Sequence, residues 1–193
     1  MHLVDNGLGI LVRRCGSTHV IGDVFPLVEH CEHGLFDPVG RGENFAAFMH
    51  LADHDESLVG GRIWTETAQI EQRLLDITTH MELVLQKYLR NEFETLAAYN
   101  EQAGEVAEAF RFLVVAHFPV NFSADAARRL ISIAASGARC GVYTFILADL
   151  RQPLPHGIQL EDLENACLNF LWRAPRFLQP DPDFGIFPLT MDE

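Results

Sequence analysis

The sequence predicts an α/β protein, a parallel sheet flanked by helices, and three observations carry that expectation. Phe112-Leu-Val-Val-Ala116 is a short unbroken apolar run, rich in the β-branched residues that suit a strand covered on both faces. Gly141-Val-Tyr-Thr-Phe-Ile-Leu-Ala148 is a second such run, stopped by Asp149, Arg151 and Pro153. Between them Ala127, Leu130, Ile131 and Ala134 recur at helical spacing, with Ser123 placed to cap and Gly137 to terminate the helix. Strand, helix and strand in this order make a βαβ unit, whose loops gather at the carboxyl edge of the sheet.

The remaining elements follow from the same patterns. Residues 1–34 have weak periodicity and many glycines, so one or two short elements at most are expected there. His33 to Phe36 reads as a short strand leading into the turn Asp37-Pro-Val-Gly-Arg-Gly42, and Phe45, Phe48, Met49 and Leu51 suggest a short apolar helix. Thr65 is the expected cap of a long helix running to about Phe93, with Ile70, Leu74, Ile77, Met81, Val84 and Tyr88 as its apolar stripe. That stripe persists for fewer than four heptads, which favours core packing over a coiled-coil seam. Asn100 and Gly104 close this region. Leu160, Leu163, Ala166, Cys167, Phe170 and Leu171 predict a second amphipathic helix, followed by a proline-rich stretch from Pro175 to Pro188 that reads as a connector with no element to close the domain. The chain reads as cut rather than finished.

Charge and composition exclude several functions. The chain has 193 residues, and its formal charge of −13 offers no broad surface for nucleic acid, because neutralising phosphates needs clustered Lys and Arg. Of its 14 basic residues Lys87 is the one lysine, which removes a polybasic membrane patch or Lys-rich tail. No window approaches the ~20 apolar residues of a transmembrane helix. Cys15, Cys31, Cys140 and Cys167 are widely spaced and no secretory leader precedes them, so a reduced, cytoplasmic setting is expected. Cys15, His19, His30, Cys31 and His33 are ligand types for zinc, but no C-x-x-C is present and the spacings match no finger, so no metal site is assigned.

Taken residue by residue, the candidate sites are modest. Gly40-x-Gly42 opens like a dinucleotide fingerprint, yet Phe45 stands where the third glycine belongs. A P-loop needs G-x-x-x-x-G-K-[ST], and Lys87 sits in Gln-Lys-Tyr-Leu, so the chain has none. Ser123 and Cys140 lie in no nucleophile-elbow context. Arg128 and Arg129 read as a solvated helix face. His117 follows directly on the first buried strand, where sheet-edge sites lie, although an ordinary loop histidine is the simpler reading. Arg151, at the end of the second, has the planar guanidinium that suits phosphate.

Together these elements resemble the FtsK/SpoIIIE motor ATPases, a DNA-pumping branch of the RecA-like P-loop NTPases, over about Leu35 to Pro155. Leu35-Phe-Asp-Pro38 looks like the family's Asp-Pro strand end, Met81-Glu82 and Tyr88-Leu-Arg90 belong to its long helix, and Ala98-Tyr-Asn100 looks like its Tyr-Asn turn. Phe112 to Phe118 looks like the Walker B strand, Ala127-Arg-Arg-Leu130 to Gly137 like the helix after it, and Gly141 to Arg151 like the strand ending in Ala-Thr-Gln-Arg-Pro. The departures are equally specific. The family's P-loop should precede Asp37, and residues 1–34 show none. The Walker B Asp-Glu pair falls on Ala116 and His117, and Asp149 and Leu150 replace the Thr-Gln pair.

The resemblance therefore implies an incomplete RecA-like parallel sheet flanked by helices. The expected organisation is a poorly defined segment 1–34, a partial ATPase domain 35–155, and a helix with a proline-rich connector, 156–193. It implies a fragment or degenerate module of an ATP-dependent DNA translocase, incompetent in hydrolysis on its own and structural or regulatory within a larger ring motor. Asp37, His117, Asp149 and Arg151 are the nucleotide-binding candidates, with no catalytic residue or metal ligand assigned. ATP with magnesium, a homo-oligomer or neighbouring ATPase modules as partners, and DNA enter through the resemblance alone. Two alternatives stay open: a truncated active translocase whose P-loop lies upstream, and an interaction domain that docks through the helix at 65–93.

Overall fold

The computed structural model of the chain describes residues 8–12, 31–40, 42–43, 45–46, 49, 62–90, 92–173, 176–181 and 185–189. Its centre is a parallel block of four strands: β2 (Cys31–Phe36), β3 (Ile63–Trp64), β4 (Phe110–Phe118) and β5 (Val142–Asp149). A first strand, β1 (Leu8–Val12), pairs antiparallel with β5, and a meander of β6 (Leu168–Arg173), β7 (Arg176–Asp181) and β8 (Gly185–Leu189) extends the sheet beyond it. The full order is β3-β2-β4-β5-β1-β6-β7-β8, an α/β fold consistent with a partial RecA-like domain.

The described residues from Leu168 to Leu189 thus form an antiparallel ladder and not the expected connector. Of its prolines, Pro180 and Pro188 fit a sheet because of where they fall. The β6–β7 pairing ends at Leu178, short of Pro180, and Pro188 lies on β8, the outermost strand of the order. The amphipathic helix expected through Leu171 is correspondingly short. It spans Leu160–Ala166, and Phe170 and Leu171 belong to β6.

Among the described residues four α-helices accompany the sheet: α1 (Thr67–Leu83), α2 (Leu96–Ala103), α3 (Ala124–Ser136) and α4 (Leu160–Ala166). They bury Ile70, Leu74 and Ile77 of α1, Leu96 of α2, Leu130 and Ile133 of α3 and Leu163 of α4 in one core with Phe36, Leu113, Val115 and Ile146 of the strands. Ser123 caps α3 as its position predicts, accepting a hydrogen bond from the Ala126 amide at 3.1 Å. The cap residue of α1 is Glu66, not Thr65. Its side chain makes no cap bond, while the Thr65 carbonyl accepts from Asn121 Nδ2 at 3.1 Å.

Two local departures shape the packing. After Leu83 the helix widens into a π-helical segment, Val84–Leu89, closed by Arg90 in the left-handed region at φ 42°. The extra residue turns Leu89, 1% exposed, into the core position expected for Tyr88, and Tyr88 instead packs its ring 5.2 Å from Tyr99. On β4 and β5 burial alternates: Leu113, Val115, Thr144 and Ile146 are buried, while Phe112, Val114, Tyr143 and Phe145 on the other face are half-buried. The sequence reading expected cover on both faces. On the half-buried face the aromatic rings supply part of it themselves, with Phe112 stacked at 5.5 Å on Tyr143 and 6.2 Å on Phe145.

Candidate functional site at the carboxyl edge of the parallel block

From β2 the chain continues to β3 on one side, and from β4 it continues to β5 on the other. The carboxyl ends of β2 and β4 therefore flank the point where the winding reverses, which is where open α/β sheets form their ligand crevice. Asp37 follows β2 directly and His117 is the penultimate residue of β4, so two of the four candidates meet at this crevice.

Asp37 is 0% exposed. Its Oδ1 accepts from the Gly40 amide at 3.0 Å and its Oδ2 from the Gly42 amide at 3.1 Å, while its own amide donates to the Trp64 carbonyl at 2.9 Å. The carboxylate thus holds the turn at Gly40 and Gly42 shut from within. Gly42 needs its missing side chain here, since its φ is +92°. The Gly40-x-Gly42 spacing reflects this internal turn.

The extra residue in β4 explains the placement of His117. Val115 pairs with Ile146 and Phe118 with Ala148, so three steps on β4 face two on β5, a bulge at Ala116 and His117. His117 takes φ 58° at the bulge, and its Nε2 lies 3.9 Å from Asp37 Oδ1. The following turn is fixed by Val120 donating to the His117 carbonyl at 2.9 Å.

The other two candidates pair with each other at the end of β5. Arg151 donates from Nε to Asp149 Oδ1 at 2.8 Å and from Nη2 to Oδ2 at 2.9 Å, and its amide reaches Oδ1 at 3.1 Å. These bonds to Arg151 hold the Asp149 carboxyl at about 2, well below the usual range, although burial acts the other way. The Arg151 side chain is 72% exposed but folded back along its own turn. The single lysine is also engaged: Lys87 Nζ donates to Tyr88 Oη at 3.1 Å and lies 4.8 Å over that ring.

The described residues do not fit magnesium and a triphosphate. Asp37 is turned inward onto two amides, Ala116 and His117 offer no carboxylate, and Arg151 is bound to Asp149. Before β2 the described strand in the sheet is β1, antiparallel to β5. Among the described residues no strand there feeds a glycine-rich loop and a helix N-terminus, the arrangement that cradles phosphate. Among the same residues no group of three or more His, Cys, Asp or Glu could hold a metal ion; Cys15, His19 and His30 lie outside them, as do Phe48 and Leu51 of the short helix expected after the turn. No described helix is long and apolar enough to cross a membrane.

The Tyr-Asn segment differs from its expected form. Asn100 lies inside α2, where its Nδ2 donates to the Glu108 carbonyl at 2.8 Å and its Oδ1 accepts from the Glu108 amide at 3.0 Å. It is a clamp on the approach to β4. Sequence reasoning also missed a row of basic residues, Arg73, His80 and Lys87, on α1 and its π-helical continuation, whose signal is their spacing.

No family model and no curated protein matches the chain. Solved structures do. The cytoplasmic domain of EssC is similar with a TM-score of 0.51 and 18% identity over 72% of this chain and 25% of its own. The pCW3 conjugation coupling protein TcpA, in its monomer form with ATPgS, is similar with a TM-score of 0.52 and 13% identity over 84% of this chain and 53% of its own. The chain shares their fold while spanning about a quarter of one and about half of the other.

Proposed function

We propose that this chain is a degenerate module of an FtsK/SpoIIIE-like DNA-translocating motor, acting structurally or regulatorily beside neighbouring ATPase modules of a cytoplasmic ring, and that it does not hydrolyse ATP alone. The observation that carries this reading is Asp37, fully buried and committed to the Gly40 and Gly42 amides at the crevice where an ATPase of this fold would hold its nucleotide. The shared fold with EssC and TcpA supports the motor class. Calorimetric titration of the chain with ATP and magnesium tests it. No heat of binding and no phosphate release are expected, and micromolar binding or turnover above background would overturn the reading.

A second reading, an active translocase whose P-loop lies upstream, is favoured by the fraction of each neighbour that the chain spans, 25% and 53%. The upstream reading frame decides it: a G-x-x-x-x-G-K-[ST] there supports the active protein, and its absence over several hundred codons removes it. The third reading, a docking domain unrelated to motors, is weakened by the parallel block β3-β2-β4-β5.

A further inference from the structure

In a chain with 27 acidic and 14 basic residues, Arg73 and His80 recur on α1 at seven-residue spacing and so follow one side of that helix, with exposed Lys87 beyond them on its π-helical continuation. Arg111 of β4 acts on His80 from the sheet. Glu108, gripped through its backbone by Asn100, is the acid that acts on both His80 and Lys87. Arg73, at the head of the row, lies against the sheet, while Lys87 at its far end is exposed. A Cβ on Gly34 of β2 would stand 3.3 Å from Leu113 Cδ1, a tight contact, and 4.0 Å from Arg73 Nε, which places the Arg73 side chain over β2. His80 Nε2 and Arg73 Nε are both shielded from solvent and accept or donate no hydrogen bond.

We propose that this row is an acid-sensitive joint between α1 and β4: His80 is neutral in the folded chain, and protonating it sets a third cation among Arg73 and Arg111, which loosens residues 81–90 from the sheet. Burial first, then Arg111 and Arg73, lowers His80 from 6.5 to about 4 against the opposing pull of Glu108. The direction follows from linkage. Above pH 6.5 neither state carries the proton and the joint is indifferent to pH. As pH falls through 6.5 the unfolded chain takes up a proton that the folded chain refuses, so stability is lost until about pH 4, where both carry it. The π-helical segment begins four residues beyond His80, where the helix ladder is already interrupted.

Hydrogen exchange of the amides of residues 81–90 at pH 7 and pH 5, corrected for intrinsic rate, tests the joint together with an NMR titration of the His80 ring. Protection in this segment is expected to fall about tenfold or more in the native chain and to stay level in His80→Gln, while His80 titrates well below 6.5. A ring that titrates near 6.5, or an equal loss of protection in His80→Gln, would overturn it. Glu108→Gln supplies a second readout, because the Asn100 clamp holds only its backbone. Removing the opposing acid should lower the His80 titration further, and an unchanged titration counts equally against the joint.

Discussion

Nε2 of His117 lies 3.9 Å from Oδ1 of Asp37, which brings a 39% exposed imidazole against a wholly buried carboxylate at the winding reversal of the sheet. The two contribute unequally. Asp37 satisfies two backbone amides, and Asp37→Asn turns an amide N–H toward one of these donors. A loss of about 1.5–3 kcal/mol is expected from the change, as for hydrogen bonds to a charged group. His117→Ala should cost under about 1 kcal/mol through Asp37, since the imidazole is partly solvated and lies 3.9 Å from the carboxylate oxygen. Urea denaturation of both variants checks the order, and an equal loss would show that His117, not the turn amides, holds Asp37 in place.

Asn100 is the next test of the framework. It satisfies both the amide and the carbonyl of Glu108 at 3.0 and 2.8 Å, ahead of β4. Asn100→Ala leaves two partly buried backbone groups without this partner, and about 1–3 kcal/mol of stability should be lost. Asn100→Asp retains the acceptor and should recover part of it. If the alanine variant melts with the native chain, the clamp is dispensable and water serves Glu108 equally well.

The elements that the sequence foretold are those whose signal is local. Ser123, the helix behind it and the two apolar runs at Phe112 and Val142 each follow from propensity or period, and each lies where expected. What escaped was set by pairing across the chain. The bulge at Ala116 and His117 exists only as a mismatch of β4 against β5, and the strand Arg176–Asp181 reads as a connector because Pro180 forbids a ladder bond on one side only. The inward turn of Asp37 was equally hidden, since Asp37, Gly40 and Gly42 give the same letters whether the carboxylate faces a ligand or its own loop. The π-helical segment belongs to the same class, because the choice between Tyr88 and Leu89 is made by the core.

Gly137 marks a close approach between the end of α3 and the start of β5. A Cβ there would lie 2.8 Å from the Val142 carbonyl oxygen and 3.2 Å from Val142 Cβ, and backbone cannot step aside as a side-chain tip can. Gly137→Ala should therefore destabilise by about 1–3 kcal/mol although its φ of −61° suits alanine. Gly104→Ala is the control for steric clash, because no atom lies within 4 Å of a Cβ at that position. Thermal melts of the two should differ, with Gly104→Ala showing only the strain of its positive φ.

The Asp149–Arg151 pair yields a prediction in pH. With Arg151 bound through 2.8 and 2.9 Å contacts, Asp149 titrates near 2 in the folded chain against 3.8 ordinarily. A carboxyl lowered by folding stabilises above its ordinary value, and that contribution disappears as pH falls from about 3.8 toward about 2. Arg151→Gln removes the guanidinium, so the Asp149 carboxyl resonance should move its midpoint upward toward 3.8 in an NMR titration. The same variant tests whether Arg151 still has charge to offer a phosphate. Bound bidentately to Asp149, it should add nothing measurable to the affinity for inorganic phosphate at neutral pH. A phosphate-dependent shift of Asp149 that is present in the native chain and lost in Arg151→Gln would show the opposite, that the guanidinium exchanges its carboxylate for an incoming anion.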